Sequence, residues 1–402
     1  MNQSSLIARQ PICSQSLKVV GFELLYRMNA GENAAYITNE DAATIDVLLA
    51  AYNNLSINDV VGDQLAFVNF SGNLLQQKLP PIPPKQLVIE LLEDQKITPD
   101  LIKSLKQLRR KGYKIALDDF CLNEETITLI DCADIIKLDV LASPPSSWES
   151  YIPKLSDRGI TMLAEKVETY DVYEECCELG FKLFQGYFFS KPKIISGKKM
   201  SSNEMSVLKL VNKLNSSEVN YDEVIQLIAA DVDLSYNLLR TVNSGMYGLS
   251  TKIDSVRQAA VILGLDHLRN WINFLALSSL DNKPQVLLDT AMTRARMCEL
   301  IGQQITKTDN PEGFFTAGLF SMIDAFFDVP MRELLKKLSF KEELNRALLR
   351  HEGILGNVLK AVIAHQQGNM SNDNGLSGYR IGGQEMTEIY LESIQWVEAN
   401  KI

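Results

Sequence analysis

Strand-like and helix-like segments alternate through the first half of the chain, and this alternation constrains its fold more than any other feature. The strand-like runs are short and apolar, and they lie at residues 19–26, 66–70, 87–92, 115–117, 135–138, 161–164 and 182–184. The segments with helical spacing of apolar residues lie at residues 41–52, 100–110, 147–157 and 171–179. This order predicts a parallel sheet with crossover helices, and a strand series that approaches eight favours a small closed barrel over an open sheet.

The pattern changes after Pro192. Residues 191–203 mix Lys, Gly and Ser without a period, which is typical of a linker. Nearly every later stretch has helical spacing; the predicted helices include residues 204–214, 255–263, 286–305, 311–325, 341–350 and 386–398. We therefore expect a barrel domain at residues 1–192, a linker at 193–203 and an all-helical domain at 204–402.

Composition narrows the class of protein. The chain has 402 residues, 46% of them hydrophobic, and a formal net charge of −10. This excess of negative charge argues against general affinity for nucleic-acid polymers or anionic membranes. An anionic substrate would therefore need local neutralisation by metal, Lys or Arg. No apolar stretch approaches the length of a membrane span, and the six cysteines form no Cys-x-x-Cys pair. We expect a cytoplasmic protein with reduced thiols and no membrane insertion.

Polar side chains occur at the ends of the predicted strands. Two adjacent carboxylates, Asp118 and Asp119, follow the apolar run 115–117. An Asp-Asp pair by itself has a simpler interpretation as an N-cap of the next helix. The other strand ends also carry polar groups, namely Glu23, Asn69, Glu90, Lys137, Glu165 and Gln185. Because the carboxyl ends of barrel strands meet at one face, we expect these side chains to form one site.

The residue types in this set indicate metal-dependent chemistry. Its five carboxylates and the amide oxygen of Asn69 are hard ligands of the kind that Mg²⁺ or Mn²⁺ prefers. Two such ions can activate water and stabilise a phosphodiester for in-line attack. Lys137 would orient the hydroxide or neutralise phosphate charge, and Arg27 would supply a bidentate phosphate contact.

These residues resemble the EAL domain, a bacterial signalling barrel that hydrolyses cyclic di-GMP to linear pGpG. The family's Glu-Ala-Leu-x-Arg signature appears as residues 23–27, with Leu24 in place of Ala, and the Gln-Gly-Tyr-x-x-Ser-x-Pro ending appears as residues 185–192. The resemblance covers roughly residues 5–192 and implies a compact, modified TIM-type (β/α) barrel.

The resemblance also implies residue roles. It implies metal ligation by Glu23, Asn69, Glu90, Asp118, Asp119 and Glu165, and catalytic roles for Lys137, Glu165, Asp118 and Asp119. It further implies substrate binding by Arg27 and Gln185, and support by Glu93 for the loop that follows Asp119.

That loop departs from the family pattern. Cys121 replaces the Gly of Asp-Asp-Phe-Gly, residues 122–126 replace a flexible Gly/Ser run, and the loop is about two residues shorter. Three hypotheses therefore remain open. The chain is a cyclic di-GMP phosphodiesterase, or a barrel without turnover that acts as a cyclic di-GMP receptor or adaptor, or a phosphodiesterase for another nucleotide.

The helical half resembles the HDOD domain, an all-helical relative of the HD phosphohydrolases. The resemblance rests on residues 238–249, 253–256 and 262–264, and it covers about residues 200–402. Ser321 and Met322 lie where the metal-binding His-Asp pair of an HD hydrolase would be, and His351 and His365 have the contexts of capping or packing residues. We therefore expect no metal chemistry here, but a surface that docks signalling or motility partners. The resemblance to EAL domains, which often pair through their barrels, also implies a homodimer.

Overall fold

The computed structural model describes residues 5–28, 57–76, 83–193, 200–216, 221–229, 232–243, 253–280, 283–307, 313–368, 376, 379 and 381–399. The chain divides into two compact units. The barrel unit comprises Met1–Phe189, Ala364–Asp373 and Arg380–Gln395, and the helical unit comprises Ser190–Ile363, Asn374–Tyr379 and Trp396–Ile402. The predicted helix at 41–52 lies outside the described residues, as do residues 244–252 of the HDOD-like motif.

Eight strands close the barrel in chain order. They are β1 Ser5–Ser14, β2 Val19–Met28, β3 Leu65–Phe70, β4 Leu87–Leu91, β5 Lys114–Leu117, β6 Ile135–Asp139, β7 Thr161–Glu165 and β8 Leu183–Gln185. Strands β2 to β8 pair in parallel, whereas β1 runs antiparallel to both β2 and β8. The closed barrel confirms the predicted fold class, but β1 is missing from the predicted series. Arg9, Gln10 and Pro11 interrupt its apolar pattern, and proline removes one backbone donor.

Helices follow most of the barrel strands. Those described are α1 Ile57–Val61, α2 Gly72–Leu75, α3 Pro99–Arg110, α4 Ile152–Asp157 and α5 Tyr170–Leu179. The segment predicted as one helix at 147–157 is instead a 3₁₀ turn at Pro145–Trp148 followed by α4. Pro153 explains the break, because proline is tolerated in the first turn of a helix and not in its interior.

An apolar layer fills the barrel interior. It consists of Ile12, Phe67, Val88, Ala116, Ile135 and Leu163, all buried. Side chains two positions apart on a strand point to the same face, so the residue two positions further along each parallel strand also points inward. Those next positions are Asn69, Glu90, Asp118, Lys137 and Glu165. The strand period therefore places a polar layer directly beside the apolar one, at the carboxyl ends of the parallel strands.

The helical unit is built from short and medium helices. They are α6 Ser202–Leu214, α7 Tyr221–Ala229, α8 Val232–Val242, α9 Val256–Leu263, α10 Leu265–Ser278, α11 Gln285–Thr306, α12 Phe314–Phe320, α13 Ile323–Phe327, α14 Met331–Leu335, α15 Glu342–Arg350 and α16 Gly353–Gln366, whose last residues belong to the barrel unit. The predicted helix at 311–325 is two helices, α12 and α13. A Cβ on Gly318 would lie 2.5 Å from the Cα of Ala295, so α12 packs directly on α11.

The final helix, α17 (Gly383–Ala399), belongs largely to the barrel unit. Tyr390 donates a hydrogen bond to the backbone oxygen of Arg9 at 3.4 Å. Tyr187 donates one to the backbone oxygen of Gln366 at 2.6 Å. Sequence patterns assign all of 204–402 to one helical domain, whereas Ala364–Asp373 and Arg380–Gln395 cluster with the barrel. None of the helices within the described ranges is long and apolar enough to cross a bilayer.

His365 should make the barrel unit sensitive to acid. Its side chain is buried against the ring of Tyr390, with the ring centroids 5.0 Å apart. Burial lowers the pKa of His365 to about 4. Because the unfolded chain binds this proton below a pKa near 6.5, the associated stability is full above pH 6.5 and is lost as the pH falls towards 4.

We expect His365 to contribute roughly 3 kcal/mol to acid destabilisation over that interval. Urea unfolding at several pH values, monitored for the wild type and His365→Phe, measures this contribution. The variant should lose less stability between pH 6.5 and pH 4 than the wild type. Parallel curves for the two proteins would contradict the assignment.

Candidate active site

The Lys137 ammonium lies at the centre of the polar layer. Its Nζ is 2.6 Å from Asp118 Oδ1, 2.8 Å from Glu90 Oε1 and 2.9 Å from Glu165 Oε1. A fourth carboxylate, Glu23, has its Oε2 atom 3.7 Å away. Lys137 and Glu90 have fully buried side chains, so these charges interact with little screening by solvent.

Amide side chains hold Glu23 at the edge of this cluster. Asn69 Nδ2 donates to Glu23 Oε1 at 3.2 Å, and Gln185 Nε2 donates to Glu23 Oε2. Gln185 Nε2 also donates to Gln10 Oε1 at 2.9 Å. Gln10 is on β1, the strand that was not predicted, so its contact was not predicted either. The amides fix the orientation of a carboxylate at the point where β1, β2, β3 and β8 meet.

The buried charges perturb one another. Burial raises the pKa of Glu90 well above its usual range and that of Glu165 to about 8, although the Lys137 ammonium acts in the opposite direction. Burial likewise raises the pKa of Asp118. Burial alone would lower the pKa of Lys137, but the surrounding carboxylates raise it well above its ordinary value. A cluster with more carboxylates than cations favours binding of further positive charge.

The donor set fits a divalent metal ion. Buried oxygen atoms of Glu90 (Oε2), Asp119 (Oδ1) and Gln185 (Oε1) accept no hydrogen bond within the described residues. Oxygen atoms of this type are the ligands that Mg²⁺ and Mn²⁺ prefer. As they stand, no three or more Asp, Glu, His or Cys side chains of the described residues are arranged to hold a metal ion. The carboxylates are gathered around the Lys137 ammonium instead.

A second group of charges lies at the rim, beyond Asp118. Lys166 contacts Asp139 Oδ2, and its Nζ is 3.9 Å from Asp119 Oδ2. Asp139 Oδ1 accepts hydrogen bonds from the backbone N–H groups of Leu141 and Ala142 at 2.8 and 3.0 Å. Neither Lys166 nor Asp139 was predicted as a site residue. Both lie close in sequence to predicted site residues: Asp139 is two positions after Lys137, and Lys166 directly follows Glu165.

The loop after Asp119 is fixed by its own hydrogen bonds. Asn123 Oδ1 accepts from the backbone N–H groups of Glu125 and Thr126, both at 2.9 Å. Thr126 Oγ1 donates to the backbone oxygen of Cys121 at 2.6 Å. This arrangement is an Asx-type turn, in which a side chain replaces a backbone acceptor.

For two of the predicted site residues, Glu93 and Arg27, the described structure shows no contact that supports the predicted role. Glu93 is exposed just after β4, and within the described structure no hydrogen bond or ion pair joins it to the loop after Asp119. Arg27 lies in β2, but its side chain is outside the described part. The structure brings together Glu23, Asn69, Glu90, Asp118, Lys137, Glu165 and Gln185, with Asp119 at the rim.

The helical unit has a different arrangement where an HD hydrolase would hold metal. Arg294 Nη1 donates to Ser321 Oγ at 2.8 Å, and Met322 is buried in the core. His351 is the C-cap of α15, and His365 is buried by packing, as their sequence contexts predict. In the ranges that the structure describes, no group of His, Cys, Asp or Glu here forms a metal site.

Comparisons with known proteins decide the family. A model of the EAL domain matches residues 2–192, and a model of the HDOD domain matches residues 201–347. YuxH of Bacillus subtilis, an uncharacterised protein, is 36% identical over 400 residues, which cover 97% of each chain. The chain belongs to the EAL–HDOD family. Both resemblances inferred from the sequence are thereby confirmed.

Two further relatives of this EAL–HDOD protein carry functional names. The cyclic di-GMP phosphodiesterase CdgJ of Vibrio cholerae is 33% identical over 362 residues, covering 89% of this chain and 83% of CdgJ. A Klebsiella pneumoniae BlrP1 structure, a manganese/cy-diGMP complex, is 27% identical with a TM-score of 0.39. That match covers 47% of this chain and 56% of the Klebsiella chain, and the family assignment does not depend on it.

Proposed function

We propose that this EAL–HDOD protein is a divalent-metal-dependent phosphodiesterase that hydrolyses cyclic di-GMP to linear pGpG. The observation that carries the proposal is the cluster of four carboxylates around the buried Lys137 ammonium at the carboxyl ends of the barrel strands. The 33% identity to a relative named as a cyclic di-GMP phosphodiesterase supports the same substrate. Mg²⁺ or Mn²⁺ is the proposed metal, since every ligand is an oxygen atom.

The proposed ligands divide between two ions. Glu23, Asn69, Glu90 and Asp118 would hold the first, and Asp118, Asp119 and Glu165 would hold the second. The bound ions would supply an activated water and neutralise charge on the phosphodiester. The protein contributes a fixed set of oxygen ligands, because Asn69 and Gln185 orient Glu23 and burial fixes Glu90.

Lys137 and Arg27 are the proposed cationic partners of the phosphodiester. The Lys137 ammonium is fully buried and already lies among the carboxylates, so it can stabilise negative charge without reorganising solvent. Arg27 lies four residues after Glu23 on the same strand and is proposed to bind phosphate through its guanidinium. The HDOD domain is proposed to dock protein partners; pairing of barrels and a cytoplasmic location remain predictions.

Incubation of the purified protein with cyclic di-GMP and Mn²⁺ or Mg²⁺, followed by chromatography of the products, tests this function. We expect linear pGpG only when metal is present. Glu23→Ala should reduce the rate by at least about a hundredfold, because it removes a ligand rather than a residue that orients one. Glu178→Ala, which removes an exposed carboxylate from α5, should retain the wild-type rate.

One structural feature favours a second candidate function. The closed Asx-type turn at Asn123 restricts the loop next to Asp119, and restriction there is compatible with binding without turnover. In that case the barrel would be a cyclic di-GMP receptor. Calorimetry with cyclic di-GMP and Ca²⁺ distinguishes the two functions. Binding without product would support the receptor, whereas the absence of both would exclude both functions.

A further inference from the structure

Two residues at the rim of the barrel adopt unusual backbone conformations. Asp119, just after β5, has φ 38°, and Lys166, just after β7, has φ 54°. Positive φ is unfavourable for residues with a Cβ atom and persists where surrounding contacts over-determine it. The Lys166 contacts are with Asp139 and Asp119.

Lys137 and Lys166 contact different carboxylates of the site. Within 4 Å, Lys137 contacts Glu23, Glu90, Asp118 and Glu165, and Lys166 contacts Asp119 and Asp139. No carboxylate is shared between these two cations at that distance. Lys137 is buried, whereas 53% of the Lys166 side chain is exposed. The rim therefore has a cation of its own, held by two carboxylates.

The two oxygen atoms of Asp119 have different environments. Oδ1 is buried and accepts no hydrogen bond within the described residues, and Oδ2 lies 3.9 Å from Lys166 Nζ. A divalent ion on the free oxygen would lie close to the ammonium. Like charges at such a separation repel, and the repulsion is weakened but not removed by partial solvent exposure. The Lys166 ammonium therefore makes ligation of a divalent ion by Asp119 less favourable.

We propose that Lys166 is a built-in counter-ion that weakens binding of the second metal ion at Asp119, relative to the first ion held deeper in the barrel. This inference rests on the proposed two-metal function. It makes Lys166 a positioning residue that sets metal occupancy, because its ammonium acts on Asp119 and on no ligand of the first ion within 4 Å. The second ion then binds only at higher metal concentration.

Mn²⁺ titration of the full-length protein, followed by the electron paramagnetic resonance signal of free Mn²⁺, tests the inference without measuring turnover. Lys166→Gln removes the charge, shortens the side chain by one atom and leaves the same backbone requirement. We expect the weaker Mn²⁺ site to bind at least about fivefold more tightly in Lys166→Gln at low ionic strength, and the tighter site to remain unchanged. Added salt should reduce the difference between the proteins.

Two variants serve as controls. Lys166→Arg keeps the cation and should bind Mn²⁺ as the wild type does. Lys114→Gln makes the same change in net charge at the start of β5, the end of the strand opposite Asp118, and should also have no effect. Equal affinities in the wild type and Lys166→Gln, or weaker binding in the variant, would overturn the role of Lys166 alone. Absence of Mn²⁺ binding in every protein would overturn the proposed function as well.

Discussion

Lys137→Met is expected to destabilise the barrel by about 3–5 kcal/mol in the absence of metal, because it leaves buried carboxylates without their cation. The Lys137 side chain is fully buried and contacts four carboxylates. Methionine has a similar shape, so the loss of packing is small and the change is mainly electrostatic. A divalent ion replaces part of the missing charge, so Mn²⁺ should stabilise the variant more than the wild type.

Urea unfolding in the presence of EDTA and then of Mn²⁺ measures both effects. Lys114→Met, at an exposed position on β5, is the matched control and should unfold at the wild-type midpoint. Wild-type stability of Lys137→Met in EDTA would show that the ammonium does not hold the carboxylates together. An equal response of the two proteins to Mn²⁺ would show that metal and ammonium do not neutralise the same groups.

Gly186→Ala is expected to cost about 4 kcal/mol or more, because a Cβ at this position would overlap the backbone. The added atom would lie 2.1 Å from the backbone oxygen of Val167, and the residue has φ +148°. Here the segments that follow β7 and β8 lie side by side, and Val167 donates a backbone hydrogen bond to Gln185 at 3.0 Å. Displacement would also move Gln185 away from Glu23.

Gly159→Ala is the matched control. Gly159 also has positive φ, +78°, but nothing lies within 4 Å of its added Cβ, so the substitution should cost about 1–2 kcal/mol. Thermal unfolding of both variants measures the difference. Similar losses for the two would mean that backbone conformation alone decides the effect, and that the close approach to Val167 is relieved by a small shift.

Local sequence signals predicted the elements that have clear start and stop residues. The helix expected at 171–179 is α5, Tyr170–Leu179. Thr169 caps its first turn by accepting from the N–H of Val172, and Gly180 ends it with φ 104°. Similarly, the alternation of side chains on each strand predicted that the polar strand ends would meet, and the structure brings seven of them together.

Features that depend on distant parts of the chain could not be predicted in this way. Gln10 contacts Gln185 only because β1 closes the barrel antiparallel to β8. Lys166 reaches Asp139 because β6 and β7 pair with Asp139 opposite Glu165. Both contacts depend on strand register, which no short motif encodes. The left-handed backbone of Lys166 is equally invisible in the sequence, because lysine has no preference for it.

The membership of Ala364–Asp373 and Arg380–Gln395 in the barrel unit has a consequence for biosynthesis. In chain order, most of the helical unit lies between Phe189 and these two segments, so the two segments leave the ribosome only after it. The bonds from Tyr390 to Arg9 and from Tyr187 to Gln366 can form only then. This protein therefore cannot finish its first unit before starting its second, and a ribosome that stops at residue 192 releases a barrel lacking two of its own segments.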